Sequence, residues 1–252
     1  MLTKRLRIIG GPNGSGKSTL FTSLRQEINE ITGKPIRVGY FINADNLEKD
    51  LQEKRFLNFE DYQLSIVPNQ WEAFLNKSSF FAKINMSLFK DAVSVKNNLL
   101  QLLTPYDVPG GYIGALIADF LRNQLLLSGQ TYSFETVMSH PSKLDEIKHA
   151  KTLGYKTYLY FIATTTPAIN ISRVKNRISK AGHAVPEKSI ISRYPKSLDN
   201  LAGATALVDK AYFFDNSNDL KMIATKEGED LNILQEQLPQ WFIENVIHKF
   251  FP

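Results

Sequence analysis

Gly11-Pro12-Asn13-Gly14-Ser15-Gly16-Lys17-Ser18-Thr19 follows the apolar run Leu6-Arg7-Ile8-Ile9 and opens a stretch with helical periodicity. It fits the pattern G-x-x-x-x-G-K-[ST]. The glycines allow the backbone to curl so that successive N–H groups point at a β-phosphate. Lys17 is expected to reach the β- and γ-oxygens, and the Ser18 hydroxyl to ligate Mg²⁺. The helix that starts at Lys17 adds its positive N-terminal end. A merely glycine-rich turn has no need of a strand before it and an amphipathic helix after it. Gly11 to Thr19 is therefore expected to bind ATP with Mg²⁺.

Outward from this loop, Leu6–Ile9 reads as a buried strand. Leu20, Phe21, Leu24 and Ile28 give a helix over 17–30, stopped by Gly33 and Pro35. A second strand is predicted over 36–42 and a helix over 45–54. Between 55 and 111 the pattern predicts helices at 61–74 and 78–103, closed by the loop residues Pro105, Pro109, Gly110 and Gly111. This is read as a helical insertion that either faces the substrate or covers a sheet edge. From Tyr112 the order is helix (113–127), strand (131–135), helix (141–153), strand (156–163) and a helix from Pro167. A lid-like loop near 181–186, a helix from Glu187 and a strand over 210–214 follow. The C-terminal piece, 218–252, reads as a small strand near 221–224 and a helix over 238–250. Strands alternating with helices predict an α/β fold of the P-loop NTPase type, a parallel sheet with helices on both faces. With no repeat or linker, 1–252 is expected to be a single domain with an arginine-bearing lid at 173–193.

The composition, 43% hydrophobic and 22% charged, is that of a globular chain. A net charge of +5 favours a polyanionic ligand, but no basic run exceeds Lys4-Arg5. A nucleic-acid-binding stripe is therefore not expected. With no cysteine, disulfides, thiolate metal sites and cysteine nucleophiles are excluded. The basic start, 1–7, runs straight into a strand, so no secretory signal is expected. Asp119, Arg122 and Asn123 interrupt the most apolar stretch, 113–127, so no membrane span is expected either. ATP as a ligand then points to the cytoplasm.

The same phosphate-loop wording occurs in ABC-type ATPases, which need a Leu-Ser-Gly-Gly-Gln signature and a strand ending in Asp-Glu. Leu127-Ser128-Gly129-Gln130 lacks one glycine and abuts the next strand. A small-molecule kinase instead needs an acid near the acceptor hydroxyl and arginines over the phosphates, both at the carboxyl ends of strands. Asp45 follows the second strand and Glu135 ends the third. Arg173, Arg177 and Arg193 bracket the lid loop that contains His183. Asp45 can take the acceptor's proton, or it can serve as a helix N-cap. Glu135 can hold a hydroxyl or a metal-bound water, or can be a buried ion-pair partner. A single lid arginine can be a surface charge, and His183 can simply cap its loop. Asp215-Asn216-Ser217 reads either as a neighbour of the adenine or as a plain turn.

Gly11 to Thr19, Phe41-Ile42-Asn43-Ala44-Asp45 and Ser133-Phe134-Glu135-Thr136-Val137-Met138-Ser139 resemble the zeta toxin-like kinases. So do Asn170-Ile171-Ser172-Arg173-Val174, the segment 182–187, and Arg193-Tyr194 with 197–201. The similarity spans 7 to about 217 and leaves the last 35 or so residues unexplained. It implies a UDP-N-acetylglucosamine kinase acting on the sugar's 3′-hydroxyl. It implies that Asp45 is the general base and that Glu135, with Thr136, contacts the substrate. Arg173 matches the first lid arginine. The place of the second falls at His183, so His183 shares that role, or Arg177 or Arg193 reaches in. An antitoxin partner is a further expectation from the family. Two other readings stay open: a kinase of another nucleotide-like metabolite, and an ABC-like ATPase or nucleotide switch with no phosphorylated acceptor.

Overall fold

The structure, a computed structural model, describes residues 3–29, 33–78, 86–104, 112–178 and 185–250. In chain order the elements are β1 (Arg5–Gly10), α1 (Lys17–Gln26), β2 (Ile28–Asn29), β3 (Lys34–Pro35), β4 (Tyr40–Ile42), α2 (Ala44–Lys54) and β5 (Phe56–Asn58). A 3₁₀ turn (Phe59–Tyr62) leads to α3 (Pro68–Lys77), α4 (Met86–Ala92), β6 (Val93–Lys96), β7 (Leu99–Leu102) and α5 (Tyr112–Leu127). Next come β8 (Tyr132–Thr136), α6 (Ser142–Thr152), β9 (Lys156–Ala163), α7 (Pro167–Ile178) and α8 (Glu187–Leu207). The chain ends with β10 (Lys210–Asp215), β11 (Lys221–Glu227), β12 (Asp230–Ile233), and a helical segment of α9 (Gln240–Phe242), a π turn (Ile243–Ile247) and α10 (His248–Phe250). Two compact units result, 1–39 with 133–252 and 40–132.

The larger unit is built on a sheet of order β12-β11-β10-β9-β1-β8. β9 runs parallel to β1, with Ile8 opposite Leu159, and parallel to β10, with Phe213 opposite Phe161. β11 and β12 are antiparallel additions at one edge. Residues 157–163 of β9 are all buried, as a strand covered on both faces requires. On one face Leu20 and Leu24 of α1 pack against Tyr158, Tyr160 and Ile162, and the Tyr160 and Tyr212 rings stack at 4.8 Å. Arg7, only 5% exposed, lies over the Tyr158 ring at 4.6 Å, which offsets part of the desolvation of its charge. On the opposite face Phe161 meets Trp241 and Phe213 meets Phe242, so the C-terminal helical segment closes the core. Complete burial of Phe161 contributes about 2–3 kcal/mol relative to exposure.

The smaller unit contains a three-stranded antiparallel sheet, β5-β7-β6. Asn97 and Asn98 join β6 to β7 in consecutive left-handed conformations, φ 51° and 59°, the geometry of a two-residue hairpin turn. The Asn98 side chain donates to Leu64 O and accepts from Ile66 N, which ties the preceding loop to the turn. Phe59, Phe74 and Phe89 gather around Trp71 of α3 and Phe120 of α5. α2 crosses α5 so closely at Gly114 that a Cβ there would lie 2.2 Å from Ala44 O.

Several expected elements are corrected. The helix predicted over 78–103 is, where described, a short helix followed by a hairpin; the alternation Val93–Lys96 and the Asn97-Asn98 turn are strand signals. The helix predicted at 61–74 starts only at Pro68, whose fixed φ suits the first helical position. α1 stops at Gln26 rather than running to 30. The second strand keeps only Tyr40–Ile42, because Gly39 turns left-handed at φ 69°. β12 was not expected at all, and with β11 it makes the sheet mixed rather than wholly parallel. The loop residues Pro105, Pro109, Gly110 and Gly111 and the lid residues 179–184 lie outside the described residues. No helix among the described residues is long and apolar enough to cross a membrane.

Candidate active site around the phosphate loop

β1 ends at Gly10, and the chain then curls through Gly11 (φ 144°), Gly14 (φ 76°) and Gly16 (φ 108°) into α1. A Cβ on Gly11 would stand 2.0 Å from Ile162 O, and one on Gly14 2.6 Å from Asn170 O. Only glycine allows both the conformations and the contacts. Gly11 N donates to Thr136 O at 3.2 Å and Asn216 Nδ2 donates to Ser15 O at 2.8 Å. The loop is thus fixed by the carboxyl ends of β8, β9 and β10. The fully buried Asn170 of α7 supports it too: its Oδ1 accepts from Thr164 Oγ1 at 2.7 Å while its carbonyl abuts Gly14. α1 starts from Gly16 with no side-chain cap, which suits an anion at its first turn.

Lys17 Nζ donates to Gly11 O and Pro12 O, both at 2.9 Å, so its ammonium lies against the loop itself. Ser18 Oγ donates to Glu135 Oε1 at 3.0 Å and Oε2 at 3.2 Å. Hydroxyl and carboxylate form the oxygen donor set that Mg²⁺ prefers, with the remaining positions left to substrate phosphates and water. The described residues contain no group of three or more His, Cys, Asp or Glu able to hold a metal. Ser18 and Glu135 fit a Mg²⁺ that is shared with a nucleotide.

Arg173 of α7 directs Nη2 to Ser217 O at 3.4 Å and Asn218 O at 3.5 Å, long contacts, while its buried Nη1 has no hydrogen-bond partner among the described residues. The loop after β10 is itself tightly held. Asp215 accepts from Ser217 N, Ser217 Oγ and Trp241 Nε1 at 3.0, 3.1 and 2.8 Å. Burial, and then the Asp215 charge, push the Tyr194 hydroxyl up to about 12, so it stays protonated and donates to Thr164 O. A groove of about 680 Å³ lies beyond Asp215, between 218–223 and 234–239, and not over the phosphate loop.

The other expected residues fall as follows. Thr136 accepts from Met138 N through Oγ1 at 3.0 Å, making a tight turn after β8 in which Met138 is left-handed at φ 57°. Arg177 and Arg193 are exposed on α7 and α8. His183 lies outside the described residues. Asp45 is exposed in the first turn of α2, and the cap is Asn43, whose side chain accepts from Asn46 N at 3.1 Å. The N-cap alternative for Asp45 is therefore corrected. Glu135 accepts from the Ser18 hydroxyl through both carboxylate oxygens. The reading of 215–217 as a plain turn missed two contacts, from Asn216 to the phosphate loop and from Trp241 to Asp215. Their position just past the carboxyl end of β10 was the available signal.

Strand order, glycine cradle and Lys17-Ser18 together define a P-loop α/β protein. No protein-family profile matches the chain, and no curated protein sequence does. Solved structures do match in fold. A chain of the native AvrRxo1-ORF1:-ORF2 complex is 14% identical, with a TM-score of 0.54, over 92% of this chain and 61% of that one. A chain of the same complex with ATP is 15% identical, with a TM-score of 0.51, over 92% and 60%. This chain thus spans about three fifths of those chains. The PezAT chromosomal toxin–antitoxin system of Streptococcus pneumoniae is 13% identical over 98% of this chain and 80% of that one, but at a TM-score of 0.49 that likeness carries no argument. At these identities the likeness shows the fold alone.

Proposed function

We propose that this chain is an ATP-dependent kinase that transfers the γ-phosphoryl group to an alcohol, the 3′-hydroxyl of UDP-N-acetylglucosamine. The observation that carries the reading is the glycine cradle with Ser18 bonded to the Glu135 carboxylate, a phosphate site with divalent-cation chemistry built in. An AvrRxo1-ORF1:-ORF2 chain of like fold is known with ATP, which agrees with it.

In the reaction the acceptor oxygen forms a bond to the γ-phosphorus as the bond from that phosphorus to the β–γ bridging oxygen breaks, leaving ADP. Protein catalysis here is alignment and neutralisation of charge on the transferring group. Lys17 turns from the loop carbonyls to the β- and γ-oxygens. Arg173 offers its unpartnered Nη1 to the γ-oxygens, with Arg177, Arg193 and His183 as further lid groups. Asp45 receives the proton of the acceptor hydroxyl, a role that rests on the resemblance of 41–45 to the family motif. Glu135 and Thr136 orient the acceptor side of the site. Ser18 and Glu135 would hold a Mg²⁺ ion, which would supply positive charge to the phosphates. A protein partner of the antitoxin kind and a cytoplasmic setting belong to the same proposal; structures of like fold are complexes with a second protein.

The test is incubation with ATP, Mg²⁺ and UDP-N-acetylglucosamine followed by mass spectrometry of the sugar nucleotide. A gain of one phosphate with the wild type and none with Asp45→Ala is expected. ATP turnover without phosphorylation of any offered alcohol, unchanged in Asp45→Ala, would sink the proposal.

A further inference from the structure

The last helical segment lies outside the resemblance that guides the rest of the site, yet one of its side chains is bonded into the loop that receives the lid arginine. Trp241 is 4% exposed and its indole N–H donates to Asp215 Oδ2 at 2.8 Å. The same oxygen accepts from Ser217 Oγ, and Asp215 Oδ1 accepts from Ser217 N. Thr165 N, just past the end of β9, donates to Ser217 Oγ at 2.9 Å. The carbonyls of Ser217 and Asn218, held in this way, are where Arg173 Nη2 rests. From the same four-residue loop Asn216 fixes the phosphate-loop carbonyl of Ser15.

We infer that Trp241 is a positioning residue for phosphoryl transfer, acting through Asp215 to hold the Ser217 and Asn218 carbonyls that aim Arg173; the inference rests on the kinase reading above. The physical reason is a hierarchy of bond strengths. A donor bonded at 2.8 Å to a carboxylate is among the stronger contacts a side chain makes, whereas the arginine contacts at 3.4 and 3.5 Å are at the weak end. The strong contacts fix the loop, and the weak ones seat Nη2 on it while Nη1 stays available to a γ-phosphate. A loosened loop would leave the guanidinium spread over several positions, and misplacement of a preorganised charge is felt mainly in the transition state.

The experiment uses Trp241→Phe, which keeps an aromatic ring against Phe161 and Phe242 but removes the donor. Asp215→Asn is the second variant should the first fail to fold. ATP consumption is measured for each, alone and combined with Arg173→Ala. The expected result is a fall of about tenfold in kcat, with the KM for ATP nearly unchanged, and no further fall when Arg173 is already absent. An equal fall in both backgrounds, or none in either, overturns the inference. Hydrogen exchange at the Ser217 amide separates it from the kinase reading. If the wild type turns over no ATP, that reading fails by itself. Faster exchange in Trp241→Phe still supports the clamp, and unchanged exchange overturns it.

Discussion

Ser18 and Glu135, 117 residues apart in the chain, meet in a two-pronged hydrogen bond, the Ser18 hydroxyl within 3.2 Å of both carboxylate oxygens. On the proposed reading this carboxylate helps to hold a cation at the same hydroxyl. Glu135→Gln is expected to lower phosphoryl transfer by at least about tenfold and to raise the Mg²⁺ concentration for half-maximal rate. A Mg²⁺ titration of the initial rate reads both. An unchanged Mg²⁺ dependence would reduce Glu135 to a simple partner of Ser18.

On the proposed kinase reading, Lys17→Ala removes a positive charge from beside the transferring phosphate. Turnover is expected to fall by at least about 10²-fold, with little change in the melting temperature because the side chain is only partly buried. Steady-state assays beside a thermal melt decide it.

Arg173→Ala is expected to lower kcat more than it weakens ATP binding, since the proposed role of Arg173 is to meet charge that develops in the transition state. A fluorescent-nucleotide titration run next to single-turnover kinetics separates the two quantities. A pure binding defect would remove Arg173 from the catalytic set.

Two glycine replacements contrast strain with crowding. Gly33→Ala places its methyl in open space at φ 62° and is expected to cost about 1 kcal/mol. Gly11→Ala also drives the methyl to 2.0 Å from Ile162 O, so a loss of about 3 kcal/mol or more and of nucleotide binding is expected. Urea midpoints of the two variants should be well separated. Equal midpoints would mean that the loop yields at Gly11.

Asp209 governs part of the acid limit. Burial raises its carboxyl, but hydrogen bonds from Thr157 N and Oγ1 and the nearby Lys151 outweigh this and hold it below the usual range. Its stabilisation is fully present above the unfolded value of about 4 and is lost as pH falls through the lower folded value. Asp209→Ala should therefore lower the melting temperature at pH 7 and converge with the wild type as pH falls through the lowered folded value. A constant gap across that range would contradict the assignment.

The phosphate loop was legible because its chemistry is local: glycine, lysine and serine at fixed spacing between an apolar strand and an amphipathic helix. β9 and α8 were legible for the same reason, long uniform patterns. The segment 78–103 was misread because its turn is carried by Asn97-Asn98, without a glycine or proline to punctuate it. The Ser18–Glu135 and Trp241–Asp215 pairs are products of sheet order, which no spacing in the chain records. Asp45 shows the opposite difficulty, since Asn43, two residues earlier, takes the capping role that its own position suggested.

The bond from Asn216 to Ser15 joins residues 201 apart. A chain emerging from the ribosome makes the glycine-rich segment well before the amide that braces it. Until β10 has been synthesised and has docked, that segment lacks one of its supports. Stalled nascent chains ending before residue 210 should therefore bind nucleotide poorly, and acquisition of binding should follow release of β10 and Asn216 rather than of the motif itself.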